Sequence, residues 1–187
     1  MRTNQKGIQL IKDSEGCVLH AYKCIPTEPY YTIGYGHYGS DVSPDSVITQ
    51  EQAEEMLKKD IVKYERMVEA YQSQYNFNEN EFSALVSFCY NIGSIDQLTQ
   101  YGTRTKAQIA DAFQYYVHAG GEILEGLVTR RCAEKQLFIT PCNKKYSESS
   151  TIKDIVDGIL GGEFGNNDDR KEALYELIQG FVNDRFK

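Results

Sequence analysis

The stretch from Glu15 to His37, EGCVLHAYKCIPTEPYYTIGYGH, decides how this 187-residue chain is interpreted. Glu15 ends a predicted helix, and Gly16 follows as its stop because glycine tolerates the positive φ that helix ends often require. The remainder predicts an antiparallel β-hairpin, since Pro26 and Pro29 fix φ and remove backbone donors between two strand-like segments. A helix end that faces a hairpin brings polar side chains from both elements around one small space.

Three of those side chains carry groups suited to catalysis: the carboxyl of Glu15, the thiol of Cys24 and the hydroxyl of Thr32. Hydrolysis of a glycosidic bond needs a proton for the leaving oxygen and a water aimed at the anomeric carbon, and two carboxylates usually divide these tasks. Glu15 suits the acid role, whereas a thiol is mostly neutral at pH 7 and is a poor substitute for the second carboxylate. The spacing alone is a weak signal, because such residues are common at helix ends and in strands without any chemical role.

The run EG-x5-Y, followed by Cys24 and TIGYGH, resembles the phage-type lysozymes, the muramidase endolysins. Their signature is Glu, then Asp or Cys nine positions later, then Thr before Gly-x-Gly-His. Two further blocks match in order, SFCYNIG at Ser87 to Gly93 and AGGEILEGLVTRRCAEKQLF at Ala119 to Phe138. The resemblance implies a mainly α (α+β) fold, with a two-lobed lysozyme-like domain made of a small β-hairpin lobe and a helical lobe. It also implies a peptidoglycan hydrolase that cleaves the β-1,4 bond between N-acetylmuramic acid and N-acetylglucosamine and so lyses the host.

Site roles follow from the resemblance, position by position. Glu15 is expected to be the general acid, and Cys24 with Thr32 is expected to hold and polarise the attacking water, in a family that inverts the anomeric carbon. Two alternatives for Cys24 stay open: it attacks the sugar as a nucleophile, or it is a small buried residue with no chemical role. Tyr38 and Tyr90 match positions that contact saccharide in the family. No metal and no cofactor is expected.

Other polar residues near the motif are expected to support the site. His37 ends the GYGH run, but in the family it does not carry the chemistry. Either Arg130 or Arg131 is expected to pair with Glu15 across the cleft. The turn before Thr32 is two residues longer than the common family spacing, so the strand register of this residue stays open.

Capping signals and hydrophobic periodicity predict the helices between the motif blocks. Thr49 with Gln52 forms a capping pattern at the start of a predicted helix. Apolar residues then recur at three- and four-residue steps, and the extent of this repeat predicts a helix of about twenty residues. Asn78 with Glu81 repeats the pattern before the most apolar helix of the chain. The remaining predicted segments are a polar loop over Tyr38 to Ser46, a helix from Thr105 to Val117 broken by Gly120-Gly121, and a last helix from Leu124 to Phe138.

The sequence predicts a division of the chain after the third motif block. Residues 1–142 are expected to form the catalytic domain, 143–150 a polar linker, and 151–187 a small three-helix module. The segment TIKDIVDGILGGEFGNNDDRKEAL resembles the short wall-binding repeat of phage lysins, although Asn167 replaces a usual glycine and only one copy is present. The resemblance implies that this module binds the bacterial cell wall.

Composition narrows the choice of partners. A net charge of −7 argues against a nucleic-acid binder, and the N-terminal residues contain no apolar run of signal-peptide or membrane-span length. Five cysteines at irregular spacing, with no CxxC pair, favour free thiols over a disulfide framework or a zinc site. We expect a monomer that binds bacterial peptidoglycan. It is expected to accumulate in the host cytoplasm until a phage-made pore releases it to the cell wall.

Three other functions stay open on the sequence. A lytic transglycosylase would use the muramic acid 6-hydroxyl in place of water. A non-catalytic peptidoglycan-binding protein would carry Cys24 in a degenerate site. A cysteine peptidase would pair Cys24 with His37 and would not depend on Glu15.

Overall fold

The computed structural model describes residues 1–142, which form seven α-helices and a small β-sheet lobe. The elements are α1 (Gln5–Glu15), β1 (Val18–Tyr22), β2 (Tyr31–Gly34), β3 (His37–Gly39), α2 (Gln50–Glu69), α3 (Gln72–Tyr75), α4 (Glu79–Ile92), α5 (Asp96–Thr99), α6 (Lys106–Ala112), β4 (His118–Ala119), β5 (Glu122–Ile123) and α7 (Glu125–Ile139). The mainly α fold with a small β lobe is confirmed. The linker predicted at 143–150 and the module predicted at 151–187 lie outside the described residues.

Strands β1, β2 and β3 form one antiparallel sheet in chain order. Tyr22 pairs with Thr32 and Val18 with Gly34, and the unequal spacing of these two pairs is taken up by an irregularity in β1. β3 was predicted as part of a polar loop, and that prediction is wrong, because Tyr38 pairs back onto Thr32. Thr32 therefore lies in the central strand, between two tyrosines.

Helix ends follow the capping chemistry in the sequence. The capping boxes predicted before α2 and α4 are confirmed, and α6 begins with a third. In each, the side chain of the N-cap residue and that of the third helical residue bond to backbone N–H groups. α1 ends as predicted, at Gly16 with a φ of +68°. Within residues 1–142, no helix has both the length and the apolar character needed to cross a membrane.

The helix expected from Thr105 to Val117 is shorter in the structure, which corrects the prediction. α6 ends at Ala112 and a 3₁₀ turn covers Phe113–Tyr115. The hairpin of β4 and β5 then stands where a simple break was expected. Aromatic and β-branched residues lose side-chain freedom in a helix, so the sequence FQYYV propagates one poorly.

Helix α4 forms the centre of the core and packs against α1, α2 and α7. Its fully buried apolar residues are Phe82, Ala84, Leu85, Val86, Phe88 and Cys89. The ring of Phe88 meets those of Phe113 and Tyr116 edge to face. This packing holds the C-terminal half of α4 beside α7, and both helices supply residues to the site described next.

Candidate active site

Glu15 opens into a cleft of about 310 Å³ that is lined by residues of the sheet lobe, α2 and α4. The lining residues are Glu15, Gly36, His37, Tyr38, Asp60, Lys63, Tyr64, Tyr90 and Asn91. A quarter of the Glu15 side chain is exposed. Glu15 is the last residue of α1 and lies one turn beyond the buried Ile11, so its carboxyl group stands where the packed face of the helix ends.

Arg130 holds Glu15 in place. Its guanidinium donates to Glu15 Oε1 at 2.6 Å, to Glu134 Oε1 at 3.1 Å and to the carbonyl oxygen of Ser87 at 3.1 Å. Arg130 is only 5% exposed at its side chain, so this pair is shielded from solvent on one side. The predicted pairing of Glu15 with one of the two adjacent arginines is thus confirmed, and the arginine is Arg130.

Arg131 serves a different partner. Its guanidinium stacks over the ring of Phe88, 4.7 Å from the ring centre, and donates to Asn91 Oδ1 at 2.7 Å. Its Nε lies 3.1 Å from Glu134 Oε2. Glu134 is fully buried and also accepts a hydrogen bond from Ser87 Oγ at 2.8 Å. One buried carboxylate therefore stands between the arginine that holds Glu15 and the arginine that holds Asn91.

Cys24 and Thr32 lie near Tyr22 and are not among the residues that line the 310 Å³ cleft. Cys24 is exposed, just after the end of β1, which rules out the alternative of a buried packing residue. Burial raises the pKa of Tyr22, and the thiol of Cys24, which is within hydrogen-bonding reach of the phenol, and the charge of Glu15 raise it further. Thr32 is 7% exposed, and its hydroxyl has no hydrogen-bond partner within residues 1–142.

His37 is held at both ring nitrogens. Nδ1 lies 2.9 Å from Asp60 Oδ2, and Nε2 lies 3.1 Å from Asp41 Oδ2. Burial lowers the pKa of the ring, but the hydrogen bonds and charges of Asp60 and Asp41 outweigh burial, so the net direction is upward from 6.5. With both nitrogens occupied, His37 is not placed to activate Cys24, which contradicts the cysteine peptidase alternative. The imidazole instead joins β3 to α2.

Tyr38 and Tyr90 both line the cleft, but they present different groups to it. Tyr38 is 45% exposed and packs edge to face on Tyr30. Tyr90 donates its hydroxyl to the carbonyl oxygen of Tyr35 at 2.8 Å, and burial raises its pKa. Tyr38 therefore offers an open aromatic face, whereas the hydroxyl of Tyr90 is used within the protein.

A sequence profile described as "Phage lysozyme" matches residues 12–134, a span that contains Glu15, Cys24, Thr32 and the Arg130 network. The chain belongs to the phage lysozyme family. Within residues 1–142 of this phage lysozyme there is no cluster of three or more His, Cys, Asp or Glu side chains able to hold a metal ion.

Relatives of this phage lysozyme include two endolysins. The endolysin of Bacillus phage PZA is 43% identical over 161 residues, which cover 83% of this chain and 62% of the relative. The endolysin of Lactococcus phage c2 is 43% identical over 161 residues, which cover 86% of this chain and 68% of the relative. The chain thus spans roughly two-thirds of the length of these relatives.

Solved structures with a similar fold include a phage endolysin and a muramidase domain. The active form of P1 phage endolysin Lyz matches with a TM-score of 0.62 and 28% identity, covering 74% of this chain and 85% of that one. The muramidase domain of SpmX from Asticaccaulis excentricus matches with a TM-score of 0.62 and 30% identity, covering 75% and 99%. Both comparisons support the lysozyme-like fold expected from the sequence.

Sequence reasoning missed several residues of this cleft. Asp60 and Lys63 lie on α2, whose periodicity marked only its apolar face, so its polar cleft-facing residues carried no signal. Asn91 follows Tyr90 in the second motif block, but only Tyr90 was predicted to contact the substrate. Tyr22 was visible as the tyrosine of EG-x5-Y, and its position beside Cys24 shows why that spacing matters.

Proposed function

We propose that this chain is a peptidoglycan hydrolase of the endolysin type, which cleaves the β-1,4 bond between N-acetylmuramic acid and N-acetylglucosamine. The single observation that carries the proposal is the setting of Glu15. Arg130 holds Oε1 of its carboxyl group, while Oε2 lies beside Gly36 in the cleft. A carboxyl group with one oxygen anchored and the other open to a substrate cleft is placed to act as a general acid.

The proposed acid step uses the cleft-facing oxygen. A β-carbon built on Gly36 would lie 4.0 Å from Glu15 Oε2, so the absence of a side chain at Gly36 leaves the approach to this oxygen open on that side. A proton donor works when its heavy atom comes within about 2.6–3.2 Å of the acceptor. The space left by Gly36 allows a glycosidic oxygen to reach that distance, and the proton passes to this oxygen as the bond to the anomeric carbon breaks.

The proposed water step uses Thr32 and Cys24. The Thr32 hydroxyl has one donor and two acceptor sites, and none is used within residues 1–142, so it is available to a water. Cys24 is exposed just after the end of β1, beside Tyr22. We place the attacking water at this hydroxyl and thiol, on the face of the sugar opposite Glu15, which predicts inversion at the anomeric carbon.

Cleavage products test the proposal directly. Purified peptidoglycan is digested and the fragments are weighed by mass spectrometry. Hydrolysis adds one water per bond cleaved and leaves a reducing muramic acid end, whereas a transglycosylase adds no water and leaves an anhydro-muramic end. Glu15→Gln should lose at least about 100-fold in cleavage rate, while Asp13→Asn, which removes a carboxylate from the same turn of α1 outside the cleft, should cleave as wild type does. Anhydro-muramic products, or a Glu15→Gln rate within a fewfold of wild type, would refute the proposed reaction.

Substitutions at Cys24 separate its possible roles. Cys24→Asp is expected to stay active, because a carboxylate can hold and polarise a water in the same place. Cys24→Ala is expected to lose much of the rate, since the water then has only the Thr32 hydroxyl to hold it. A Cys24→Ala enzyme with the full wild-type rate would show that this side chain takes no part in the reaction.

The proposal also covers the substrate, the role of the C-terminal residues and the route by which the protein reaches the cell wall. The substrate is bacterial peptidoglycan, residues 151–187 bind the wall, and the chain works as a monomer. The protein collects in the host cytoplasm and reaches the wall through a phage-made pore. Support comes from the relatives, which are endolysins of phages. Release of wall fragments by purified protein added from outside, but not by intact cells that express it without a pore, would support this route.

A further inference from the structure

Asn91 is the cleft residue whose orientation the structure explains most fully. It lies at the exposed end of α4 and lines the cleft together with Glu15. Its Oδ1 accepts a hydrogen bond from the Arg131 guanidinium at 2.7 Å. Arginine has donors and no acceptor, so the amide atom that faces it must be the oxygen. The orientation of this amide is therefore set by chemistry.

The nitrogen of the Asn91 amide is the group that remains available to a ligand in the cleft. With Oδ1 turned to Arg131, the Nδ2 group points away from the guanidinium, and within residues 1–142 this nitrogen has no hydrogen-bond partner. An N–H₂ group only donates. It fits a substrate group that only accepts, such as a carbonyl oxygen, better than a hydroxyl, which can turn to serve either role.

Arg131 is itself fixed by its surroundings. Its side chain is 1% exposed, stacks on Phe88 and lies 3.1 Å from the carboxylate of Glu134. A planar guanidinium stacked on a ring loses little freedom when it forms a hydrogen bond. Arg131 thus holds Asn91 in one orientation, much as Arg130 holds Glu15.

We propose that Asn91 is a substrate-binding residue whose amide N–H donates to the acetamido carbonyl oxygen of an N-acetylated sugar in the cleft, and that Arg131 is the positioning residue which orients it. This inference rests on the proposed glycan hydrolysis and adds a selectivity to it. The acetamido carbonyl oxygen is the strongest acceptor-only oxygen carried on the ring of the wall sugars, because the ether oxygens there accept more weakly. Glu134, between Arg130 and Arg131, joins the acid and the sugar-binding amide in one buried network.

The test compares two substrates that differ only in this group: purified peptidoglycan and the same material after N-deacetylation. Wild type should cleave the acetylated glycan with the higher kcat/KM, by about tenfold for one hydrogen bond. Asn91→Asp keeps an oxygen for Arg131 and removes the donor, and Asn91→Leu removes both without adding charge. In Asn91→Leu the preference for acetylated glycan should fall to near unity, mainly through KM. In Asn91→Asp it should fall at least as far, because the added carboxylate attracts the amine of the deacetylated sugar. Asn91→Asp keeps the acceptor for Arg131 and should unfold near the wild-type temperature, whereas Asn91→Leu leaves a buried Arg131 N–H unpaired and should unfold at a lower temperature.

A second variant tests the positioning role. Arg131→Met should reduce the preference for acetylated glycan when Asn91 is present, and should have no further effect on that preference in the Asn91→Leu background. A purely structural role for Arg131 would instead lower stability and overall rate without changing the preference, and would overturn its part in the proposal. The measurement is a ratio of two substrates on one protein sample, so a partly unfolded sample does not alter it.

The outcomes separate this inference from the function on which it rests. Wild type that cleaves both materials equally, or Asn91→Asp that keeps the full preference, would overturn the role of Asn91 and leave the hydrolase intact. Wild type that cleaves neither material would overturn the proposed function and the inference together.

Discussion

Gly36→Ala tests how closely the cleft is fitted around Glu15. Gly36 has a φ of +91°, a region in which an L-residue with a side chain is strained by about 1–2 kcal/mol. For a protein of this size, that loss corresponds to a fall of roughly 2–8 °C in Tm. The added methyl would clash with nothing, because its nearest neighbours are Tyr90 Oη at 3.9 Å and Glu15 Oε2 at 4.0 Å. It would, however, occupy space in the cleft beside the proposed proton donor.

The effect on activity should exceed the effect on stability. A glycosidic oxygen must come within about 3 Å of the acid, and displacement by about 1 Å can cost on the order of 100-fold in rate. We therefore expect Gly36→Ala to lower kcat/KM for peptidoglycan by about 10- to 100-fold, measured by turbidity of a wall suspension. Gly120→Ala is the matched control, because Gly120 also has a positive φ of +61° and an open position for a methyl, but it is not among the residues that line the cleft. Equal activity of the two variants would refute the placement of the substrate beside Gly36.

Three further predictions follow from the described contacts. Replacing His37 by Gln should reduce stability most at low pH. The pKa of His37 in the folded protein is raised above 6.5, so the stability that this residue contributes is complete below pH 6.5 and is lost as pH rises through the folded pKa. Urea unfolding of both proteins from about pH 5.5 to about pH 8.5 measures this difference. Thr49→Ala should cost about 1 kcal/mol of unfolding free energy by removing the capping box of α2, and Thr49→Ser should not. Tyr90→Phe should cost about 1 kcal/mol of unfolding free energy, because the Tyr35 carbonyl oxygen loses its donor. The variant should retain lytic activity, because the Tyr90 hydroxyl bonds within the protein. A large loss of lysis would show that this hydroxyl contacts the sugar.

The features that sequence reasoning predicted well are those decided by neighbouring residues. Each capping box needs only residues three positions apart, as with Thr49 and Gln52, so its signal is complete within one turn. Gly16 as the end of α1 is equally local. The helix end and hairpin suggested that Glu15, Cys24 and Thr32 share one small space, and the resemblance to phage-type lysozymes added the role expected of each.

The features that were missed depend on contacts between distant parts of the chain. β3 is a short strand that forms only because Tyr38 finds Thr32 in register, and no periodicity can show in three residues. The sequence also could not decide whether Arg130 or Arg131 binds Glu15. Consecutive helix residues point about 100° apart, and either arginine could have faced Glu15. Packing of α7 on α4 decides that choice, and it simultaneously turns Arg131 toward Asn91.

The most direct test of Glu15 as the general acid is the rate of wall cleavage by Glu15→Gln relative to wild type and to Asp13→Asn. A general acid contributes about 100- to 10,000-fold to the rate, and glutamine keeps the hydrogen-bonding shape of the side chain while removing the proton. We expect a loss of at least about 100-fold in Glu15→Gln with folding intact, and a wild-type rate in Asp13→Asn. A Glu15→Gln protein that cleaves peptidoglycan within a fewfold of the wild-type rate would contradict this role.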